Sequence, residues 1–121
     1  MKGITVKRFD APDEKRTFTR GSFDILEAGG MTLGRARYEP GWKWSVHVGP
    51  EAGTALCEVD HVGIVVSGRA MVKMRDGTEV ELRAGDCFAV GPGHDSWVVG
   101  DEPYVSLHLL GAGDYARKVD R

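Results

Sequence analysis

The sequence predicts an all-β fold, either a sandwich or a barrel, from three observations. The 17 glycines and 5 prolines interrupt the chain about every ten residues, a spacing typical of short strands joined by turns. The segments between them are rich in Val, Thr, Tyr, Phe and Trp, which favour strands. "MRDGTEV" carries the pair Asp76–Gly77, which a tight hairpin turn prefers because glycine accepts a positive φ.

The individual elements follow from this punctuation. Residues 69–83 are predicted to form an antiparallel hairpin around the Asp-Gly pair. Two short charged segments, "DAPDEKRTF" and "DYARKV", favour helix, and neither is long enough to organise a core. The predicted strands, in chain order, are "GITVKRF", "FDILEAG", "MTLGRARYE", "KWSVHV", "HVGIVVSG", "RAMVKMR", "TEVELR", "DCFAVG", "SWVVG" and "YVSLHLLG".

Size and charge set limits on the class of protein. A chain of 121 residues is expected to form one domain. The net charge of −2 and the scattered basic residues exclude a nucleic-acid interface. No apolar run approaches the roughly twenty residues that cross a bilayer, and "MKGITVKRFDAPDEKR" is too polar for a secretory signal. We therefore expect a cytoplasmic protein with no membrane partner.

Two cysteines are too few for a disulfide framework, and both are expected to be reduced. Cys87 is predicted to be a small buried apolar residue, whereas for Cys57 a chemical role stays open. "VGIVVSG" and "WKWSVHV" place apolar residues on both faces of a strand. A barrel buries one face only, so the sequence indicates a homodimer.

The four histidines are candidates for metal binding because of the faces they share. In the predicted strands His61 lies on an uncharged face with Cys57, His108 lies with Tyr104 and Ser106, and His47 lies on a more polar face. His94 stands in the turn "GPGHDSW". The alternative for each is a hydrogen-bonded residue of the barrel wall, and the spacing alone does not decide between the two.

The order of these features resembles the small single-domain cupins. "PGWKWSVH" followed by "HVGIVVSGRAMVKMRDGTEVELRAGDCFAVGPGHDSWVVGDEP" is similar to the two cupin motifs, and the likeness covers roughly residues 30–110. The resemblance implies a double-stranded β-helix, or jelly-roll barrel, with little or no helix. In a single cupin domain spanning 1–121, residues 1–30 would add N-terminal strands and residues 111–121 a C-terminal tail.

The first cupin motif runs Gly, five residues, His-x-His, three or four residues, Glu, six residues, Gly. Gly41 and His47 reproduce its opening, and after an insertion His61 stands six residues before Gly68, where the family has its glutamate. Counted back from His61, Cys57 falls where a second histidine could lie.

The second motif runs Gly, five residues, Pro-x-Gly, two residues, His, three residues, Asn. Gly85 and Gly93 match it, Gly91 replaces the proline, and Ser96 takes the histidine position, with His94 two residues earlier. The scaffold glycines are kept, and the metal ligands are rearranged.

Two interpretations follow from the resemblance. In the first, His47, His61 and His94 bind a divalent transition metal, with Cys57 or His108 as a fourth ligand. Replacing the glutamate by imidazole would favour zinc, nickel, iron or copper. The protein would then be a metal-dependent enzyme of the dioxygenase or isomerase type that acts on a small organic molecule.

In the second interpretation the metal site is degenerate, and the chain is a non-catalytic sensor or carrier. The barrel mouth would bind a small molecule through the histidines together with serine and tryptophan side chains. Core packing or a dimer contact is the alternative for the tryptophans. The candidate ligand-binding residues are Ser45, Ser96, Trp44 and Trp97.

Overall fold

The computed structural model describes residues 3–117 of the chain. Within them the regular elements are nine strands and two one-turn helices. In chain order they are β1 (Glu14–Phe18), β2 (Gly21–Ala28), β3 (Met31–Tyr38), α1 (Trp44–His47), α2 (Gly49–Ala52), β4 (His61–Ser67), β5 (Arg69–Met74), β6 (Glu79–Arg83), β7 (Cys87–Val90), β8 (His94–Val98) and β9 (Tyr104–Leu110).

The strands form two sheets in which every paired neighbour is antiparallel. One sheet has the order β1-β2-β3-β9-β4-β7, and the other has the order β6-β5-β8. The last strand thus lies between β3 and β4, so the sheet is completed by a non-local pairing. The all-β class and the jelly-roll type are confirmed, although no continuous ladder among the described strands closes the barrel.

The core lies between the two sheets and is rich in aromatic side chains. Trp42 is 1% exposed, and its ring stacks on Tyr38 with 3.7 Å between centroids. Phe23 from β2 and Phe88 from β7 extend the same apolar cluster. Burying such large side chains is the main stabilising contribution in a domain of this size.

The predicted hairpin at residues 69–83 is confirmed. β5 pairs with β6 in the register Arg69↔Arg83 to Lys73↔Glu79. Gly77 has φ 95°, a conformation that side chains with a Cβ rarely adopt. The Asp-Gly pair therefore fixes the turn for the reason that the sequence indicated.

Two of the N-terminal predictions are wrong. "GITVKRF" forms no strand, and "DAPDEKRTF" contains β1 instead of a helix. β1 pairs with β2 from Glu14↔Ile25 to Phe18↔Gly21. The ladder to a neighbouring strand therefore outweighs the local charge of the segment.

"KWSVHV" is also wrongly predicted as a strand, since Trp44–His47 is a helical turn. The His47 amide donates to the Lys43 carbonyl at 2.9 Å, and Gly49 and Pro50 begin α2 directly afterwards. Four residues of alternating pattern fit one helical turn as well as a strand.

The C-terminal "DYARKV" forms turns over its described part, and its last two residues, Lys118 and Val119, lie outside the described residues. No helix in the described range 3–117 has the length and apolar character needed to cross a membrane.

The two faces of β4 differ as the alternation predicted. His61, Gly63 and Val65 are buried, and the residues between them point outward. The prediction that Cys87 is buried is wrong. Cys87 begins β7 on its outer face and is exposed, whereas Phe88 points inward. The exposed apolar side chains on β4 and β9 are Val62, Ile64, Val66, Leu109 and Leu110.

Candidate metal centre and adjoining cavity

Cys57, His61 and His94 come together inside the protein. One donor atom from each lies within 4.8 Å of the other two, and all three residues are buried. Thiolate and imidazole are the donors that zinc and similar divalent metals prefer. The three residues therefore have the chemistry and the proximity of a metal site.

Local backbone pairing positions two of these donors. Cys57 and His94 form an isolated antiparallel bridge, in which the Cys57 amide donates to the His94 carbonyl at 2.8 Å. The Gly93 amide in turn donates a hydrogen bond to the Cys57 carbonyl at 2.8 Å. His61 opens β4 four residues later, so the loop between Cys57 and β4 folds back over the same point.

The hydrogen bond that Nδ1 of His94 makes determines which tautomer of the ring is present. Its Nδ1 lies 2.7 Å from the Gly91 carbonyl, which can only accept, so Nδ1 carries the proton and the lone pair is on Nε2. Burial lowers the pKa of His94, and it lowers the pKa of His61 to about 3. Both rings are therefore neutral at neutral pH, the form that binds a metal.

The Cys57 thiol lies beside His61, with 3.5 Å between Sγ and Nε2. Burial raises the pKa of Cys57 to about 11, so without a cation the group stays a thiol. A bound divalent cation reverses this preference, because it deprotonates a coordinating thiol.

His108 on β9 lies next to this cluster. Its ring centroid is 5.2 Å from that of His61, and burial lowers its pKa to about 4. Its Nε2 is 2.9 Å from the Ser106 hydroxyl. The Nδ1 atoms of His61 and His108 are buried and have no hydrogen-bond partner among the described residues.

A cavity of about 40 Å³ adjoins these rings. None of the side chains that line it, within the described chain, is a lysine, arginine, aspartate or glutamate. Its apolar walls come from Ala, Val, Leu and Phe side chains. Its polar lining residues are Tyr38, His61, His94, Ser96, Tyr104, Ser106, His108 and Tyr115.

His47 is not one of the three residues whose donor atoms converge, although it matches the first cupin motif. It is half-buried on α1, and its Nδ1 accepts a hydrogen bond from the Lys43 amide at 2.9 Å. The helical turn that replaced the predicted strand puts it there. His61, His94, Cys57 and His108, in contrast, all lie at the inner face.

The four predicted ligand-binding residues are dispersed. Ser96 lines the cavity, whereas Ser45 donates from its amide and its hydroxyl to Asp95. Trp44 is buried in the core. Trp97 is half-buried, with the Lys43 ammonium 5.1 Å from its ring centroid.

Tyr115 is the lining residue that the sequence did not indicate. It belongs to "DYARKV", the short charged segment for which the sequence favoured a helix. Its ring is 3% exposed and lies 5.0 Å from His61, measured between centroids. Only the folded chain brings this tail residue to the interior.

The sequence matches no protein-family model and no curated protein. Solved structures, however, are similar to the fold. A protein of unknown function from Rhizobium leguminosarum is 22% identical, with 91% of this chain and 95% of that chain covered at a TM-score of 0.57.

A sugar phosphate isomerase of the cupin superfamily from Silicibacter pomeroyi is 22% identical, with 86% of this chain and 73% of that chain covered at a TM-score of 0.61. The 11S allergen from Cocos nucifera is 18% identical, with 91% of this chain but 35% of that chain covered at a TM-score of 0.60. At these identities the likeness concerns the fold alone.

Proposed function

We propose that this chain, which has a small cupin-like fold, binds a divalent transition metal through Cys57, His61 and His94 and a small organic molecule in the cavity beside them. The observation that supports the proposal is the convergence of three buried donor atoms within 4.8 Å. The ring atom of His61 that faces the Cys57 thiol is Nε2, with 3.5 Å between Nε2 and Sγ.

The donor set fits zinc, nickel, iron or copper better than manganese or magnesium, because it holds a thiol and imidazoles and no carboxylate. Three protein donors leave a coordination position open, as catalytic sites do. A metal held there would supply Lewis-acid chemistry to an oxygen-bearing molecule.

The side chains around the donors would orient that molecule and hold a proton. His94 is kept in one orientation by the Gly91 carbonyl. When the Ser106 hydroxyl donates to Nε2 of His108, the ring carries its proton on Nδ1. The aromatic and aliphatic walls exclude bulk water and so strengthen each of these polar contacts.

The cavity and the open position support an enzyme of the isomerase or dioxygenase type. Isomerase chemistry moves protons within a molecule, and the His108–Ser106 pair offers a proton-holding group for it. The second candidate is a non-catalytic sensor or carrier. It is favoured by the lining, whose described side chains include no carboxylate or amine that could serve as a further acid or base.

We also propose that two copies associate through the outer face of β4 and β9. Val62, Ile64 and Val66 are 38%, 38% and 51% exposed, and Ile64 lies opposite Leu107 on β9. A contiguous apolar face of this kind is what an isologous dimer buries.

The proposed metal site is tested by elemental analysis of protein purified without a nickel column, using His61→Ala and His47→Ala as a matched pair. We expect the wild type and His47→Ala to retain one equivalent of metal and His61→Ala to lose it. Cys57→Ser should weaken zinc binding by about 100-fold or more, since second-sphere changes alone cost 10- to 100-fold.

Trace metal only in the wild type, or equal metal in both histidine variants, would contradict the proposal. Retained metal together with small molecules that bind but are not converted would favour the non-catalytic candidate.

A further inference from the structure

One wall of the cavity comes from a C-terminal turn rather than from a strand. The turn follows β9 at residues 111–116, and it inserts the Tyr115 ring between the sheets. The Tyr38 hydroxyl donates to the Tyr115 hydroxyl at 2.6 Å. The Tyr115 ring centroid lies 5.0 Å from that of His61 and 6.0 Å from that of His108. Tyr115 therefore borders the two imidazoles that line the cavity.

The turn is held in place by a small number of specific contacts. Nη1 of Arg16 donates to the carbonyls of Gly113 and Tyr115 at 2.9 and 2.7 Å. Ala112 is buried against Gly34 on β3, where an added Cβ would lie 3.1 Å from the Ala112 Cβ and 2.3 Å from the Phe23 ring. The glycine thus leaves the space into which the turn and Phe23 pack.

The size of the cavity limits its ligand. A volume of about 40 Å³ holds roughly three water molecules, since each needs at least about 10–15 Å³ of this kind of space. That is room for a molecule of a few non-hydrogen atoms. A sugar phosphate is far larger, and its phosphate would meet no cationic side chain among the described lining residues.

The polarity of the cavity sets a second requirement. Eight of the thirteen described residues that line it carry a hydroxyl or an imidazole group. A ligand with hydrogen-bonding groups can pair with these side chains, whereas an apolar ligand would bury them without a partner. The ligand class is therefore a small polar molecule rather than an apolar one.

We propose that the site takes polar molecules of only a few non-hydrogen atoms, and that Tyr115 is the residue that sets this size limit. The inference rests on the proposed function for its ligand site. It goes further in naming the size class and the residue, and it excludes the substrate class of the structurally similar sugar phosphate isomerase.

The test compares formamide with benzamide, which share the amide group and differ by a phenyl ring. Binding is followed by the NMR chemical shifts of the His61 and His108 ring nitrogens, in metal-free and in zinc-loaded protein. In the wild type we expect formamide to shift these signals and benzamide to leave them unchanged. Tyr115→Ala should bind benzamide at least about tenfold more tightly than the wild type does, the smallest effect expected when a pocket gains room for a group.

Two control variants accompany the test. Tyr115→Phe keeps the ring and should retain the wild-type selectivity, and Trp97→Phe changes an aromatic residue that does not line the cavity. If Tyr115→Ala does not fold, as judged by near-ultraviolet circular dichroism, Tyr115→Leu shortens the side chain while keeping an apolar filling.

Benzamide binding by the wild type, or unchanged selectivity in folded Tyr115→Ala and Tyr115→Leu, would overturn the inference. Failure of zinc to bind, with the amide selectivity intact in metal-free protein, would overturn the proposed metal site and leave the inference standing. The two proposals can thus fail separately.

Discussion

The two faces of β4 carry opposite chemistry within seven residues. On the inner face, His61 lies in the donor cluster. The next inward residue is Gly63, which has no side chain, and β9 packs directly against it. The outer face presents Val62, Ile64 and Val66 to the surface, where no residue of the described chain covers them fully. In the proposals above, the inner face contributes to the metal site and the outer face to the association of two copies.

The largest loss of stability is expected from a substitution on the inner face of β4. An added Cβ at Gly63 would lie 2.2 Å from the Leu107 carbonyl oxygen and 2.7 Å from the Phe88 ring. Because a backbone oxygen cannot move aside without disturbing the sheet, Gly63→Ala should lower the free energy of unfolding by about 3 kcal/mol.

The neighbouring outer position is the matched control. Val62→Ala should lower the free energy of unfolding by less than about 1 kcal/mol, since half-exposed side chains contribute less. Urea denaturation of both variants measures the difference. Equal losses at the two positions would show that the two faces are not distinct in packing.

An intermediate effect is expected from the inner face of β9 at high pH. Burial raises the pKa of Tyr104 to about 12, whereas the unfolded chain ionises near pH 10. Below about pH 10 the phenol is protonated in both the folded and the unfolded state, so its ionisation does not lower the free energy of unfolding there. Above that pH the unfolded state ionises first, and stability is lost as the pH rises towards about 12.

Tyr104→Phe should therefore reduce the fall in stability between about pH 9 and pH 11 by about 1 kcal/mol, the value of somewhat less than one pKa unit. Burial also raises the pKa values of Tyr38 and Tyr115, so part of the fall remains. Urea midpoints across this pH range give the measurement. An identical pH profile for the wild type and the variant would place Tyr104 in contact with solvent.

The smallest effect on stability is expected on the outer face, where the consequence is association. Val66 is 51% exposed, so Val66→Lys should change the free energy of unfolding by no more than about 1 kcal/mol. The lysines of two copies would then repel across the proposed interface. Analytical ultracentrifugation should show a monomer.

Val80→Lys provides the comparison, because Val80 is similarly exposed, at 55%, but lies on β6 in the other sheet. This variant should remain a dimer. A monomeric Val80→Lys beside a dimeric Val66→Lys would move the interface to the three-stranded sheet.

Sequence reasoning found those parts of the molecule in which the pattern is local. Side chains alternate between the two faces of β4 and β9 in the order of the sequence, so the inward positions of His61 and His108 could be predicted. The hairpin turn at Gly77 depends on two adjacent residues, and it could be predicted for the same reason.

Other features depend on packing between distant segments. β1 exists because β2 offers it a partner, and Tyr115 is buried because Arg16, Gly34 and Tyr38 receive the turn that carries it. His47 shows the limit of motif matching. Its spacing from Gly41 agrees with a cupin motif, but His47 lies on a helical turn and is not one of the converging donors.

The backbone bridge between Cys57 and His94 has a consequence for the order of assembly. The amide-to-carbonyl bonds at 2.8 Å in both directions join the two donor-bearing segments without help from any ion. A zinc finger folds only when its ion arrives. At the proposed metal site the backbone already joins the donor-bearing segments, so a chelator should remove the metal and leave a folded protein that can be reloaded.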